Sequence, residues 1–225
     1  WKILKLAAID IGSNAARLLV TEVVTNKEKE PRFTKLSFVR VPLRLGFDVF
    51  EYGEIRKGKS RLLRNTMKAF RLLMDVYEVD KFKVCATSAM RDAGNKKDIL
   101  RKIKLESGID IEIISGDEEA SYIFDNHIAE RLSKDHAYLY IDVGGGSTEL
   151  TFYSEGKLQY KESYNIGTIR LLKNLVKENS WDAMQQKIQQ LTKSNLPIYA
   201  IGSGGNINKI FSMSSSFPIK VKINL

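Results

Sequence analysis

One cysteine, two histidines and four prolines in 225 residues already narrow what this chain can be. Cys85 has no second thiol to pair with, so no intrachain disulfide frames the fold. It lies in the apolar run 82–86, where a buried structural thiol in reducing, cytoplasmic surroundings is the expectation. His127 and His136 have no partners at ligand spacing, which argues against a zinc site. No apolar stretch approaches the roughly 18 residues that span a bilayer, and residues 1–8 are interrupted by Lys2 and Lys5 and followed closely by Asp10, so neither a membrane span nor a signal peptide is expected. A G-x-x-x-x-G-K-[ST] loop is missing, and no complete G-x-G-x-x-G follows the first apolar run. These absences argue against P-loop and Rossmann chemistry.

What is present is a globular inventory with a cationic excess: 43% hydrophobic residues, 28% charged residues and a formal net charge of +9. The length suits one large or two small domains, and an anionic partner fits the charge. The sharpest basic feature is 56–74, with Arg56, Lys57, Lys59, Arg61, Arg64, Lys68 and Arg71 and no acid. Leu63, Met67, Phe70 and Met74 recur there at helical spacing, which predicts a helix over 59–79 with one apolar and one cationic face. That face reads either as ordinary solvated surface or as a track for a polyanion such as polyphosphate or nucleic acid. No aromatic-interleaved or helix-turn-helix pattern accompanies it, which argues against sequence-specific nucleic-acid recognition.

Apolar runs rich in β-branched residues predict strands near 3–11, 16–25 and 33–41 ahead of the basic helix. A strand near 82–87, a helix near 96–107, a strand near 109–114 and a helix from about 116 follow. The pattern then restarts with strands near 137–143, 148–154 and 157–163, helices near 168–177 and 181–193, a strand near 198–202 and another helix. Ala8-Ile9-Asp10-Ile11-Gly12-Ser13 and Tyr140-Ile141-Asp142-Val143-Gly144-Gly145 share one pattern at the head of both strings, the mark of an internal duplication. Each copy predicts a buried strand ending in Asp, a glycine turn and a returning strand, and two such loops facing each other would make a cleft.

Chemistry concentrates at three glycine loops. In Asp142-Val143-Gly144-Gly145-Gly146-Ser147-Thr148-Glu149, consecutive glycines let backbone N–H groups approach an anion, with the Ser147 and Thr148 hydroxyls as added donors. Asp142 and Glu149 form a candidate Mg²⁺ pair, because that ion prefers one or two carboxylates plus phosphate and water. The facing copy, Asp10-Ile11-Gly12-Ser13-Asn14 with Arg17, supplies a second phosphate grip, and Asp10 is a further metal candidate. The third loop, Gly202-Ser203-Gly204-Gly205-Asn206, precedes a helix, where free amides favour an anion. Within Ser115-Gly116-Asp117-Glu118-Glu119, Ser115 and Glu118 fit a capping box. Asp117 suits the positive end of the helix dipole, and Glu119 is left as the candidate general base at the junction of the two halves.

Together these residues resemble the exopolyphosphatase and guanosine pentaphosphatase family. The resemblance runs through Asp10-Ile11-Gly12-Ser13-Asn14, Ala86-Thr87-Ser88-Ala89-Met90-Arg91-Asp92-Ala93, Ile114-Ser115-Gly116-Asp117-Glu118-Glu119-Ala120 and residues 141–150, in order over 6–210. It implies an α/β fold of two ribonuclease-H-like domains of the actin, hexokinase and Hsp70-like type, placed here at 1–124 and 125–225. It also implies Mg²⁺-assisted removal of a terminal phosphate from polyphosphate or guanosine pentaphosphate, and a homodimer. By resemblance Glu119 is the water-activating base, Asp142 and Glu149 the Mg²⁺ region, and Ser13, Asn14, Arg91, Gly145, Gly146 and Ser147 phosphate contacts. Arg91 gains from it a role in neutralising the transferred phosphoryl group. Two alternatives stay open: an acceptor-dependent kinase of the same fold, and a binding protein for polyphosphate or guanosine tetraphosphate without turnover. Family members continue past the Gly202 loop, whereas the serine-rich, then strand-like 212–225 reads as a second domain cut short.

Overall fold

The computed structural model describes residues 2–26, 29–116, 118–119, 132–193, 196–205, 207, 209 and 212. The chain divides into two units, Trp1–Ile114 and Ser115–Leu225. This division falls ahead of the expected 124/125 boundary, because the capping box at Ser115 starts a new element directly after the first sheet ends.

In the first unit β1 (Lys2–Ile11), β2 (Ala15–Asn26) and β3 (Lys29–Pro42) form an antiparallel meander, and β4 (Lys81–Ala86) and β5 (Glu112–Ile113) add parallel to β1. The order is β3-β2-β1-β4-β5. Alternation decides which face is covered. Ala7, Ile9 and Ile11 of β1, with Ala16, Leu18 and Val20 of β2, are buried on one face, while Asp10 and Arg17 lie on the other. Four helices are described here: α1 (Leu45–Tyr52), α2 (Lys57–Val76), α3 (Ser88–Asp92) and α4 (Lys96–Ser107). α2 buries its expected apolar stripe, Leu63, Met67, Phe70 and Met74, and Thr66 besides, each large apolar side chain contributing about 1.5–3 kcal/mol.

In the second unit β6 (Ala137–Val143), β7 (Thr148–Ser154) and β8 (Lys157–Tyr164) repeat the meander, and β9 (Ile198–Ser203) adds parallel to β6. The order β8-β7-β6-β9 matches β3-β2-β1-β4 strand for strand, so the duplication read from the sequence is a duplication of topology. Ala137, Leu139 and Phe152 pack against Ile188 and Leu191 of α6 (Glu178–Leu191), while α5 (Thr168–Leu172) follows β8. Both sheets are mixed and flanked by helices, the ribonuclease-H-like pattern.

Some elements differ from the sequence reading. α1 and α3 are additional, and at eight and five residues they are too short to show a helical period. The strand expected over 109–114 is reduced to Glu112–Ile113, which pairs with only Cys85 and Ala86. The helix expected over 168–177 stops at Leu172, two residues before Asn174 turns left-handed at φ 54°, and a new helix begins at Glu178. His127, Asp117, Asn206 and most of the stretch expected to be helical after Gly205 lie outside the described residues.

Candidate active site

The two Asp-Gly turns are built alike. Gly12 N–H donates to the Ala15 carbonyl at 3.0 Å, and Gly144 N–H donates to the Ser147 carbonyl at 2.9 Å. In both, the segment after the third strand braces the turn from one side. Gly46 N–H meets the Ser13 carbonyl at 2.8 Å and Arg44 N–H the Asn14 carbonyl at 2.7 Å. In the second unit Thr168 N–H bonds the Gly144 carbonyl at 3.1 Å, Ile169 N–H the Gly145 carbonyl at 2.9 Å, and Arg170 Nε the Gly146 carbonyl at 2.7 Å.

That bracing sets the direction of the loop amides. Across a trans peptide the C=O of one residue and the N–H of the next point opposite ways, and the described chain has no cis bonds. With the carbonyls of Gly144, Gly145 and Gly146 drawn towards the start of α5, the N–H groups of Gly145, Gly146 and Ser147 face away from it. None of the three has an acceptor among the described residues. Free amides on one side of a turn can form a cradle for an anion. Gly167 permits the arrangement, since a Cβ there would overlap the Gly145 carbonyl and the Gly146 backbone.

Beside the cradle a polar row crosses the sheet in register: Ser163 on β8, Glu149 on β7, Asp142 on β6 and Ser203 on β9. Directly opposed residues have Cβ atoms about 4.5–5.5 Å apart, so Asp142 and Glu149 share one face as neighbours. Glu149 is 3% exposed, and its Oε1 accepts from Ser163 Oγ at 2.9 Å. Two adjacent carboxylates, one buried, form a donor set that fits a hard divalent cation completed by water and phosphate oxygens. Among the described residues no group of three or more His, Cys, Asp or Glu forms a fuller metal cluster. Gly204, at φ +99°, closes on the same row: a Cβ there would lie 2.6 Å from the Val143 carbonyl and 3.3 Å from Asp142 Oδ1. Gly205 next to it has open space.

The Ser115 segment reaches this row through Gly116. A Cβ on Gly116 would come within 2.7 Å of Ser163 Oγ, the hydroxyl that bonds Glu149. The capping box is present in full, with Ser115 N–H to Glu118 Oε2 at 2.7 Å and Glu118 N–H to Ser115 Oγ at 3.1 Å. Glu118 is thus committed to the helix start. Glu119 N–H donates to the Ser115 carbonyl at 3.0 Å, and its Oε2 is shielded from solvent. Thr148 Oγ1 is occupied with the Ile166 carbonyl at 2.6 Å, which ties β7 to the turn before α5.

In the first unit Ser13 is buried and its Oγ lies 2.8 Å from Ser88 Oγ, which joins the turn to the start of α3. Arg17 Nη1 donates to Asp10 Oδ2 at 2.7 Å, so this acid is engaged by a cation. Arg91 Nη1 donates to the Ile114 carbonyl at 2.9 Å, one residue before the capping box. Residues that the sequence reading missed are the braces, Arg44, Gly46, Gly167, Thr168, Ile169 and Arg170, along with Ser88 and Ser163. Of these, only Gly167 and Thr168, a small residue and a hydroxyl at the head of an apolar run, carried a local signal.

The cations of α2 are largely taken up inside the unit. Arg64 and Lys68 both engage Glu106 of α4, the latter at 2.7 Å, and Arg71 engages Asp75 at 3.1 Å. Asp48, buried on α1, takes Lys59 at 2.7 Å. No helix in the described residues is long and apolar enough to cross a membrane.

Residues 23–197 match the model of the Ppx/GppA phosphatase family. The bifunctional 3-dehydroquinate synthase/phosphatase of Fusobacterium nucleatum is 35% identical over 181 residues, 77% of this chain and 26% of that protein. Exopolyphosphatase 1 of Mycobacterium tuberculosis is 28% identical over 171 residues, 75% of this chain and 48% of its own length. The chain therefore spans about a quarter and about half of these two relatives. Among solved structures, an exopolyphosphatase from Cytophaga hutchinsonii superposes with a TM-score of 0.76 at 27% identity, covering 93% of this chain and 70% of that one. The Aquifex aeolicus Ppx/GppA family member gives 0.71 at 25% identity, covering 96% and 72%.

Proposed function

Since this chain belongs to the Ppx/GppA phosphatase family, we propose that it removes a terminal phosphate from a phosphoanhydride chain, inorganic polyphosphate or guanosine pentaphosphate, by attack of water. The observation that carries this reading is the Gly144–Ser147 turn. Its carbonyls are braced by α5, so its amides are free for an anion, and a pair of adjacent carboxylates stands at its base.

In this reading the Gly145, Gly146 and Ser147 amides hold the oxygens of the terminal phosphate and stabilise charge as it builds there. Asp142 and Glu149 would hold Mg²⁺, which when bound would draw charge from the phosphate oxygens. Glu119 orients a water in line with the scissile bond and takes its proton. A P–O bond forms to the water oxygen as the anhydride P–O bond breaks, and the shortened chain leaves with the bond electrons. Arg91 is assigned to neutralising charge on the transferred group.

Phosphate release from both substrates, with Mg²⁺ and without any acceptor, tests this directly. A general base contributes about 10²–10⁴-fold, so Glu119→Gln should lower turnover by that order while the phosphate chain still binds. Release that requires an acceptor would mark a kinase, and tight binding without Mg²⁺-dependent release would mark a sensor.

A further inference from the structure

Between β3 and α1 the backbone takes a conformation that a side chain resists. Arg44 is left-handed, at φ 54° and ψ 40°, a strained state for a residue with a Cβ that persists only where the surroundings hold it. No side chain caps the helix that starts there. Arg44 N–H donates to the Asn14 carbonyl at 2.7 Å, and Phe47 N–H donates to the Arg44 carbonyl at 3.2 Å. The Lys59 ammonium reaches across from α2 and donates to that same carbonyl at 2.6 Å.

Lys59 is itself held. Its side chain is three-quarters covered, and its Nζ lies 2.7 Å from Oδ1 of the buried Asp48. Asp48 Oδ2 accepts from Arg56 N–H at 3.0 Å, which ties the acid to the start of α2. A run of contacts therefore leads from a buried carboxylate through Lys59 to Arg44 and on to the turn at 12–14, all within the first unit. Gly46 N–H draws the Ser13 carbonyl towards α1, so the Asn14 N–H across that peptide faces the other way, and it has no acceptor among the described residues. The second unit braces its turn with a cation too, Arg170 on the Gly146 carbonyl, but there the side chain reaches the turn itself.

Resting on the phosphohydrolase reading above, we propose that Lys59, held by Asp48, is a positioning residue that keeps Arg44 left-handed and so keeps the Asn14 amide aimed at a phosphate. Lys59 acts through the shape of the turn and not by contact with the substrate. Its ammonium is engaged by a carbonyl and a carboxylate, which separates it from a cation that draws in a polyanion by charge alone.

The test compares wild type with Lys59→Met, Lys59→Arg, Asp48→Asn and Lys97→Met, measuring KM, kcat and the equilibrium Kd for long-chain polyphosphate well below each melting temperature. Lys97 is an exposed lysine of α4, so its variant controls for the loss of one positive charge. The proposal expects Lys59→Met to raise KM and Kd several-fold with little change in kcat, the mark of lost binding. Lys59→Arg should recover part of the loss, and Lys97→Met should stay near wild type. Asp48→Asn decides by sign: it makes the protein more positive, which alone would tighten polyanion binding, yet it releases Lys59 and should weaken binding. Unchanged KM and Kd in Lys59→Met overturn the proposal even if its melting temperature falls, as do an equal loss in Lys97→Met or tighter binding in Asp48→Asn. Should Asp48→Asn not fold, Lys59→Met against Lys97→Met decides alone. A wild type that binds the chain without releasing phosphate sinks the hydrolase reading alone, and the Kd values then still decide the role of Lys59. A wild type that neither binds nor cleaves it overturns both.

Discussion

Glu149 stands across from Asp142 in register at the base of the triple-glycine turn, where the other hairpin sets Arg17 across from Asp10. Carboxylates placed this way favour a cation between them, and burial of Glu149 disfavours a charge left without one. Mg²⁺ should therefore raise the melting temperature of the wild type in a concentration-dependent way. Glu149→Gln should lose that response and with it Mg²⁺-dependent turnover, without a lower melting temperature in metal-free buffer. Thermal scans across a Mg²⁺ series check it, and an undiminished shift in the variant would remove Glu149 from the metal site.

Gly167→Ala should loosen the anion cradle from behind. The added Cβ overlaps the Gly145 carbonyl, so the turn must shift and its amides lose their common direction. Phosphate-chain binding should weaken by about tenfold or more, ~1.4 kcal/mol per decade. Gly58→Ala, where a Cβ meets nothing within 4 Å, serves as the control. Equal affinities for both variants in a binding titration would contradict the bracing.

Ser115→Ala removes one half of the capping box and should cost about 1 kcal/mol. A chain of this length that unfolds in one step would lose roughly 2–4 °C in melting temperature. Because Gly116 packs on Ser163, turnover should fall as well, by more than the stability change accounts for. A kinetic comparison well below the melting point separates the two effects.

Glu106 ties α2 to α4. The hydrogen bond from Lys68, opposed by partial burial and aided by the charges of Arg64 and Lys68, holds its carboxyl below the ordinary 4.5. A depressed carboxylate stabilises the fold fully above its unfolded value. That contribution fades as pH falls from 4.5 through the folded value, because the unfolded chain takes up the proton first. Urea unfolding from neutral pH down through this window should give a shallower acid-side loss in Glu106→Gln than in wild type.

The duplication was legible because its signal is local. A strand ending in Asp, a glycine two residues on and a returning strand fix the turn bond of Gly12 and of Gly144, and the hairpin register then puts residue 17 across from 10 and residue 149 across from 142. The capping box at Ser115 was legible for the same reason. What escaped were contacts set by tertiary packing. Ser13 meets Ser88, 75 positions along the chain, and Gly116 meets Ser163, with no spacing rule to announce either. The α2 stripe was read correctly as cationic, yet one helix face cannot reveal that Glu106 waits on another helix to neutralise Arg64 and Lys68.

Oxygen transfer from solvent tests the central claim most directly. Turnover of long-chain polyphosphate in water enriched in oxygen-18, with Mg²⁺ and no acceptor, should place one solvent oxygen in each released phosphate, and Glu119→Gln should slow that incorporation in step with phosphate release. Released phosphate without solvent oxygen, or incorporation at the wild-type rate in Glu119→Gln, would contradict the account.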